Sequence, residues 1–452
     1  MGALSTYYCE WAWLGGDNAE VDVLVHVEGD RIVGVVAGAP PNEVPLGATR
    51  LRGLTIPGLA NAHSHAFHRA LRARTHHGGG TFWTWRDEMY ALAETLDPDS
   101  YFQLARATFA EMVCAGITCV GEFHYLHHGR AGVRYSDANA MGHALISAAE
   151  DAGLRMTLLD TCYLRGGFGV ELNDVQRRFS DGSTTAWAAR VDALGQRSRG
   201  SGVRIGTAIH SVRAVDPPSI ADVSEWSQHR GIPLHAHVSE QPVENEQCMR
   251  TYGRTPMQLF ADGGALSPEF SAVHATHLAD GDIGLLASSG SRVCLCPTTE
   301  RDLADGIGPT ARLRASGVPI ALGSDSHALI DLFEEARGVE MGERVTTLQR
   351  GTHTVSALLG AATHEGHRSL GWSDAGRIAV GALADLVSIS PDTVRTAAMS
   401  RQNALATAVY AASPSDVHHV VVGGRVVVKD HHHLTIDVVS ELRRSIFAVV
   451  AD

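Results

Sequence analysis

One lysine, Lys429, stands in a chain of 452 residues; every other Lys/Arg position is arginine. No chemistry of this chain can therefore rest on a Schiff-base or metal-bridging lysine in its central body. Long apolar runs are also missing, and hydrophobic residues at 44% with charged residues at 19% describe a globular chain rather than a membrane-spanning one. The opening MGALSTYYCEWAWLGGDNAE lacks the basic flank and continuous apolar stretch of a secretory signal, so a cytoplasmic location is expected. Seven cysteines, an odd number without framework spacing, fit reduced thiols, and Cys294 and Cys296 in RVCLCPT read as strand core because no second pair accompanies them. Basic excess is absent too: the formal charge of -13 argues against non-specific nucleic-acid binding, so, with no apolar run to span a membrane, neither nucleic acid nor membrane is an expected partner. An anionic small molecule would need arginine supplied locally.

What is present reads as a large α/β barrel with an appended module. VDVLVHVEGDRIVGVVAG is a hairpin pattern turning at Gly29-Asp30, and HHVVVGGRVVVKD is another turning at Gly423-Gly424. Residues 1–57 and 375–452 are thus expected to form one small β-sandwich from both termini. Between them, TIPGLANAHSH, TCVGEFHY, LRMTLLDT, RIGTAIHS, IPLHAHVSE, SAVHATH, RVCLCPTT and PIALGSDSH are eight strand candidates, each followed by a helix or long loop. Eight such units over 58–374 are the pattern of a (β/α)8 TIM-like barrel. A segment at about 165–200 reads as a long loop with a helix.

Barrel chemistry sits where strands end, and these ends are polar: His63 and His65; Glu122, His124 and Tyr125; His210 and Arg213; His235, His237 and Glu240; His274 and His277; Asp325 and His327. Residues two apart on a strand share a face, so His63 and His65 make a candidate chelate. Polar groups so placed are costly unless paired or functional. A catalytic zinc takes three or four nitrogen and oxygen ligands and lowers the pKa of a bound water, and His63, His65, His237 and Asp325 are the natural set. Glu240, three residues after a ligand histidine, can carry a proton to a substrate nitrogen, and His274 can orient or deprotonate the water, with Asp325 sharing that work. Three other clusters read as surface: His76-His77 before a glycine run, His127-His128 after Tyr125, and His431 to His433 in the small domain.

PGLANAHSHAFHRA, HAHVSEQ, VHATH and LGSDSH resemble the metal-site segments of the amidohydrolase superfamily, and AVGALADLV resembles the strand by which such chains return to their small domain. Within it, FWTWRDEMY, GEFHYLHH and HSVRAV most closely resemble the formimidoylglutamate deiminases. The resemblance spans nearly the whole chain. It implies one zinc on His63, His65, His237 and Asp325, with iron or manganese also suited to such ligands. It also implies catalytic Glu240, His274 and Asp325, with His274 preferred to His277, and a homodimer. The missing barrel lysine agrees with one metal, since binuclear relatives commonly use a carboxylated one.

The implied substrate, N-formimino-L-glutamate, carries two carboxylates that need bidentate cations. By resemblance, Arg86, Tyr125, His210 and Arg213 hold them. Where the family pattern has glutamine after HSHAF, this sequence has His68, of different reach and charge. Trp83 and Trp85 read as packing that can also wall the pocket. The implied reaction is hydrolytic deimination in histidine degradation. Two rivals stand beside it: a zinc deaminase of a nucleobase or other heterocycle, and a non-catalytic scaffold of the same fold.

Overall fold

In a computed structural model, which describes residues 4–76, 80–197 and 202–450, the chain forms two eight-stranded sheets. The N-terminal strands are β1 (Leu4–Ala12), β2 (Glu20–Glu28), β3 (Arg31–Val36) and β4 (Thr49–Pro57). The barrel strands follow as β5 (Leu59–Ser64), β6 (Ile117–His124), β7 (Arg155–Cys162), β8 (Val203–Ile209), β9 (Leu234–Val238), β10 (Phe270–His274), β11 (Arg292–Leu295) and β12 (Ile320–Leu322). Last come β13 (Leu386–Ile389), β14 (Val417–Val422), β15 (Arg425–Lys429) and β16 (His432–His433). All eight expected barrel strands are present. They pair in parallel in sequence order, and nearly every residue in them is buried, as strands covered on both faces by side chains and helices must be.

The seam of the barrel is where the chemistry-bearing motifs meet. Asp325 N donates to His63 O at 3.0 Å, and Ser64 bridges Asp325 in parallel, so NAHSH and GSDSH lie side by side. Asn61 stitches them further, with Nδ2 to Ser324 Oγ at 2.7 Å and Oδ1 accepting from Ser324 N at 2.9 Å. Gly323 permits this approach, because a Cβ there would lie 2.7 Å from His63 Cβ.

Both termini enter the second sheet, ordered β16-β15-β14-β13-β4-β1-β2-β3. Its strands β4 and β13, from opposite ends of the sequence, pair antiparallel. The sheet curls over a core that joins Tyr7, Val23 and Val25 to Leu386 and Val421. Both expected hairpin turns are in place, Glu28 pairing with Arg31 and Val422 with Arg425. The C-terminal helix Val438–Val449 leaves this sheet and packs on the barrel helix Pro98–Cys114.

A buried ion pair ties sheet to barrel at the end where the strands begin: Arg155 Nε donates to Asp385 Oδ2 at 2.9 Å, with side chains 6% and 0% exposed. Removing one partner strands a charge. Asp385→Ala is therefore expected to cost about 3–5 kcal/mol in urea unfolding; a loss under about 1 kcal/mol would show that water replaces the carboxylate.

All seven cysteines are free; Cys294 is buried in β11 as expected, whereas Cys296, also buried, lies just past the strand and precedes the helix Pro297–Asp302. No helix among the described residues is long and apolar enough to cross a membrane. The 165–200 segment contains a short 3-10 turn at Gln176–Phe179 and the helix Thr184–Arg197.

Candidate active site

Three imidazoles converge at the ends of β5 and β9, His63 and His237 within the strands and His65 just past β5. His65 Nδ1 donates to Phe123 O at 3.0 Å and His237 Nδ1 to His210 O at 2.8 Å. A carbonyl only accepts, so both rings carry their proton on Nδ1 and turn a bare Nε2 inward. His63 Nε2 lies 3.1 Å from His237 Nε2. The Asp325 Oδ1 atom is 3.4 Å from both His63 Nε2 and His65 Nε2. Burial, with repulsion from neighbouring imidazoles, pushes His65 down to about 3 and His237 well below the usual histidine value, so their lone pairs are available at neutral pH. Burial alone would raise Asp325, but the hydrogen bond from His63 and the surrounding imidazoles, with His274 the charged one, hold it well below the carboxylate range. Neutral, pre-aimed nitrogens around an ionised carboxylate are the donor set a catalytic divalent ion requires, so these residues fit the group.

The backbone is strained at this rim. His274, Ala275, Asp325, His327 and Ser239 all take positive φ without being glycine, at 66°, 52°, 42°, 57° and 51°. The bend at His274 aims its ring between two carboxylates, with Nε2 3.8 Å from Glu240 Oε1 and 3.7 Å from Asp325 Oδ2. Burial opposes charge there, yet Glu240, Glu300 and Asp325 prevail and lift His274 to about 10. Glu240 also accepts from Arg213 NH2 at 3.0 Å.

The cluster forms one wall of a cavity of about 510 Å3 that also receives His68, Arg86, Tyr125, His210 and Arg213. His68 Nε2 meets Tyr125 OH at 3.0 Å. Arg86 lies over Trp83, 4.4 Å from its ring centre, and its buried Nε has no hydrogen-bond partner; the same holds for Arg213 Nε. Trp83 and Trp85 both wall the cavity, Trp85 edge-on to His68 at 5.1 Å.

Other strand-end residues turn away. His277 Nε2 donates to Asp305 O at 2.7 Å, outside the cavity. His235 Nε2 donates to Ser369 O at 2.9 Å. Glu122 accepts from Ser64 Oγ and Ala66 N, each at 2.6 Å, and so fixes the turn that carries His65; burial pushes its carboxyl up to about 8. His327 Nε2 lies 3.1 Å from Ser64 Oγ.

Two surface expectations need correction. His127 and His128 are each only 1% exposed. His127 Nε2 donates to Thr161 O at 2.9 Å, His128 Nε2 lies 3.0 Å from Asp181 Oδ1, and Arg190 binds both Asp160 and Asp181 beside them. The partners come from more than thirty residues away, which a local reading of two consecutive histidines does not see. His433 is partly buried, with Nε2 donating to Ala152 O at 3.0 Å, although His431 and His432 face solvent. His76 is exposed and pairs with Asp302 at 2.8 Å, whereas His77 lies outside the described residues.

Sequence reasoning missed three carboxylates around Glu240 and His274. Glu300 Oε1 accepts from Cys296 N at 2.9 Å and lies 3.6 Å from His274 Nδ1. Glu244 accepts from Glu240 N at 3.2 Å and is pushed by burial up to about 7. Asp305, raised to about 9 by burial and then Glu240, accepts from Gln241. Spacing offered a signal only for Glu244, one helical turn after Glu240.

Residues 54–427 match the sequence profile of the amidohydrolase family. With the barrel and its histidine-carboxylate centre, this defines the class: the chain belongs to the amidohydrolase family and is a hydrolase acting on carbon–nitrogen bonds. It is 35% identical over 411 residues to formimidoylglutamate deiminase from Pseudomonas aeruginosa, covering 88% of this chain and 90% of that one. It is 29% identical over 423 residues to a 5-methylthioadenosine/S-adenosylhomocysteine deaminase from Halobacterium salinarum, covering 92% and 90%. The crystal structure of an amidohydrolase from Brucella melitensis matches with a TM-score of 0.91 at 30% identity, over 99% of this chain and all of that one.

Proposed function

We propose that the chain holds one zinc ion on His63, His65, His237 and Asp325 and hydrolyses N-formimino-L-glutamate to N-formyl-L-glutamate and ammonia, in cytoplasmic histidine degradation. The observation that carries this reading is a two-sided cavity. Bare histidine nitrogens, Glu240 and Asp325 form one side, while Arg86 and Arg213 bring buried guanidinium nitrogens without partners to the other. Unpaired buried donors are costly, and a dianionic substrate would satisfy them.

When bound, the ion supplies Lewis acidity that lowers the pKa of water and stabilises charge developing on oxygen. His274, held between Glu240 and Asp325, orients the attacking water as its oxygen bonds the formimino carbon, and Glu240 takes the proton that the water gives up. Glu240 delivers a proton to the departing nitrogen, the carbon–nitrogen bond breaks, and ammonia leaves. The present Arg213–Glu240 contact at 3.0 Å gives way as a substrate carboxylate draws the guanidinium, freeing the Glu240 oxygen for this work. Tyr125, His210 and His68 complete the carboxylate pocket.

The likeness to a deaminase of adenosine derivatives offers the alternative of a heterocyclic substrate, but a neutral ring leaves both arginines without a counter-charge. Arg86→Met separates the two. It is expected to raise KM for N-formimino-L-glutamate about 10- to 100-fold with kcat nearly kept; an unchanged KM would remove Arg86 from substrate binding. His68→Gln is expected to change KM by no more than about fivefold, since either side chain can bond the Tyr125 hydroxyl. Steady-state kinetics would show a larger change if the histidine sets specificity.

A further inference from the structure

A second group of donor atoms lies on the small sheet, away from the mouth of the barrel. His418 and His419 are consecutive on β14, and in a regular strand their side chains would leave opposite faces. Here the pairing with β13 shifts between Ser388–His419 and Ile389–Val417, so His418 sits in a bulge. A bulge re-aims a side chain. As a result the two Nδ1 atoms lie 2.7 Å apart and the ring centres 4.4 Å apart.

The adjoining hairpin adds a carboxylate. Lys429 pairs with His432, leaving Asp430 and His431 as a two-residue turn, and both take left-handed φ, 51° and 66°. Such turns ordinarily use Asn-Gly or glycine, and a residue held in a sparsely populated backbone region costs on the order of 1–3 kcal/mol. Here the turn sets Asp430 Oδ1 3.1 Å from His418 Nε2 and the His431 ring edge-on to His418 at 5.1 Å. One donor atom from each of His418, His419 and Asp430 falls within 4.8 Å of the others.

We propose that His418, His419 and Asp430 form a second metal site, separate from the barrel centre, that takes a divalent transition ion, with His431 close enough to swing in as a fourth donor. Imidazoles with one carboxylate suit zinc, copper or nickel and not magnesium or calcium, which prefer all-oxygen sites. The Asp430 side chain is 63% exposed and that of His418 24%, so an ion can enter from solvent and keep a water. An ion here would clamp β14 to the β15–β16 turn in place of the hydrogen bond that now joins the two Nδ1 atoms.

The test compares the full chain with the double variant His418→Gln, Asp430→Asn, both equilibrated with excess zinc, freed of loose metal and assayed for bound zinc. These substitutions keep side-chain size at solvent-reaching positions. The parent is expected to hold one ion more per chain than the variant, whatever the loading of the barrel, with ammonia release unchanged. His237→Ala, which damages the barrel centre, should still hold the ion that the double variant lacks. Equal zinc in parent and double variant would overturn the proposal, as would equal retention of magnesium. Copper(II) added to the parent should give an electron paramagnetic resonance spectrum with nitrogen couplings that the variant loses; identical spectra would likewise contradict it.

Discussion

Glu240→Gln is expected to lower kcat for ammonia release by about 10^2- to 10^4-fold, the range for a positioned proton donor, while KM and bound metal stay near the parent values. The replacement is nearly isosteric and still accepts from Arg213, whose NH2 lies 3.0 Å from Glu240 Oε2, so the cavity keeps its shape. What disappears is a group that can carry a proton to a departing nitrogen. His274, 3.8 Å from Glu240 Oε1, remains to orient the water, but the proton that the water gives up has no acceptor to carry it onward. Near-parent turnover in the metal-loaded Glu240→Gln variant would assign the proton transfer elsewhere. Glu244 and Glu300, both buried within reach of the same groups, would then be the next carboxylates to replace.

Asp325→Asn carries the larger expected loss, about 10^4-fold or more in kcat, because one carboxylate serves two purposes. Its Oδ1 faces His63 and His65 at 3.4 Å each, and its Oδ2 faces His274 at 3.7 Å. Asparagine removes the negative charge that balances a divalent ion and weakens the hold on the water-activating histidine. Zinc content should fall together with activity. Backbone bonds that close the barrel at this residue, Asp325 N to His63 O and His65 N to Asp325 O, do not involve the side chain, so the fold should survive. Full zinc with full activity would mean that the carboxylate is not a ligand.

Much of this arrangement was legible because the sequence repeats one grammar: an apolar β-branched run followed by a polar terminus. Parallel strands buried on both faces demand such runs, and all eight strands fell where they were read. His63 and His65 could be paired from strand periodicity, and the seam that brings Asp325 beside them follows once eight strands close a barrel. Contacts set by long-range packing could not be read in this way. His127 and His128 looked like loop surface because Asp181 and Arg190, their neighbours in the fold, lie far along the chain. Glu300 gave no signal, since the strain that turns His274 towards it, a φ of 66°, is a property of the folded rim. A salt bridge at Arg213 is an ordinary expectation for a loop arginine, but its partner is not legible: Glu240 lies on a different strand end and meets Arg213 only in the fold.

The most direct measurement is ammonia release from N-formimino-L-glutamate by protein of measured zinc content, with N-formimino-L-aspartate and 5-methylthioadenosine assayed beside it. Turnover of the glutamate compound, with N-formyl-L-glutamate as product and a rate that follows zinc occupancy, is the predicted result. No ammonia from that compound at full zinc occupancy, or faster release from the adenosine derivative, would contradict it.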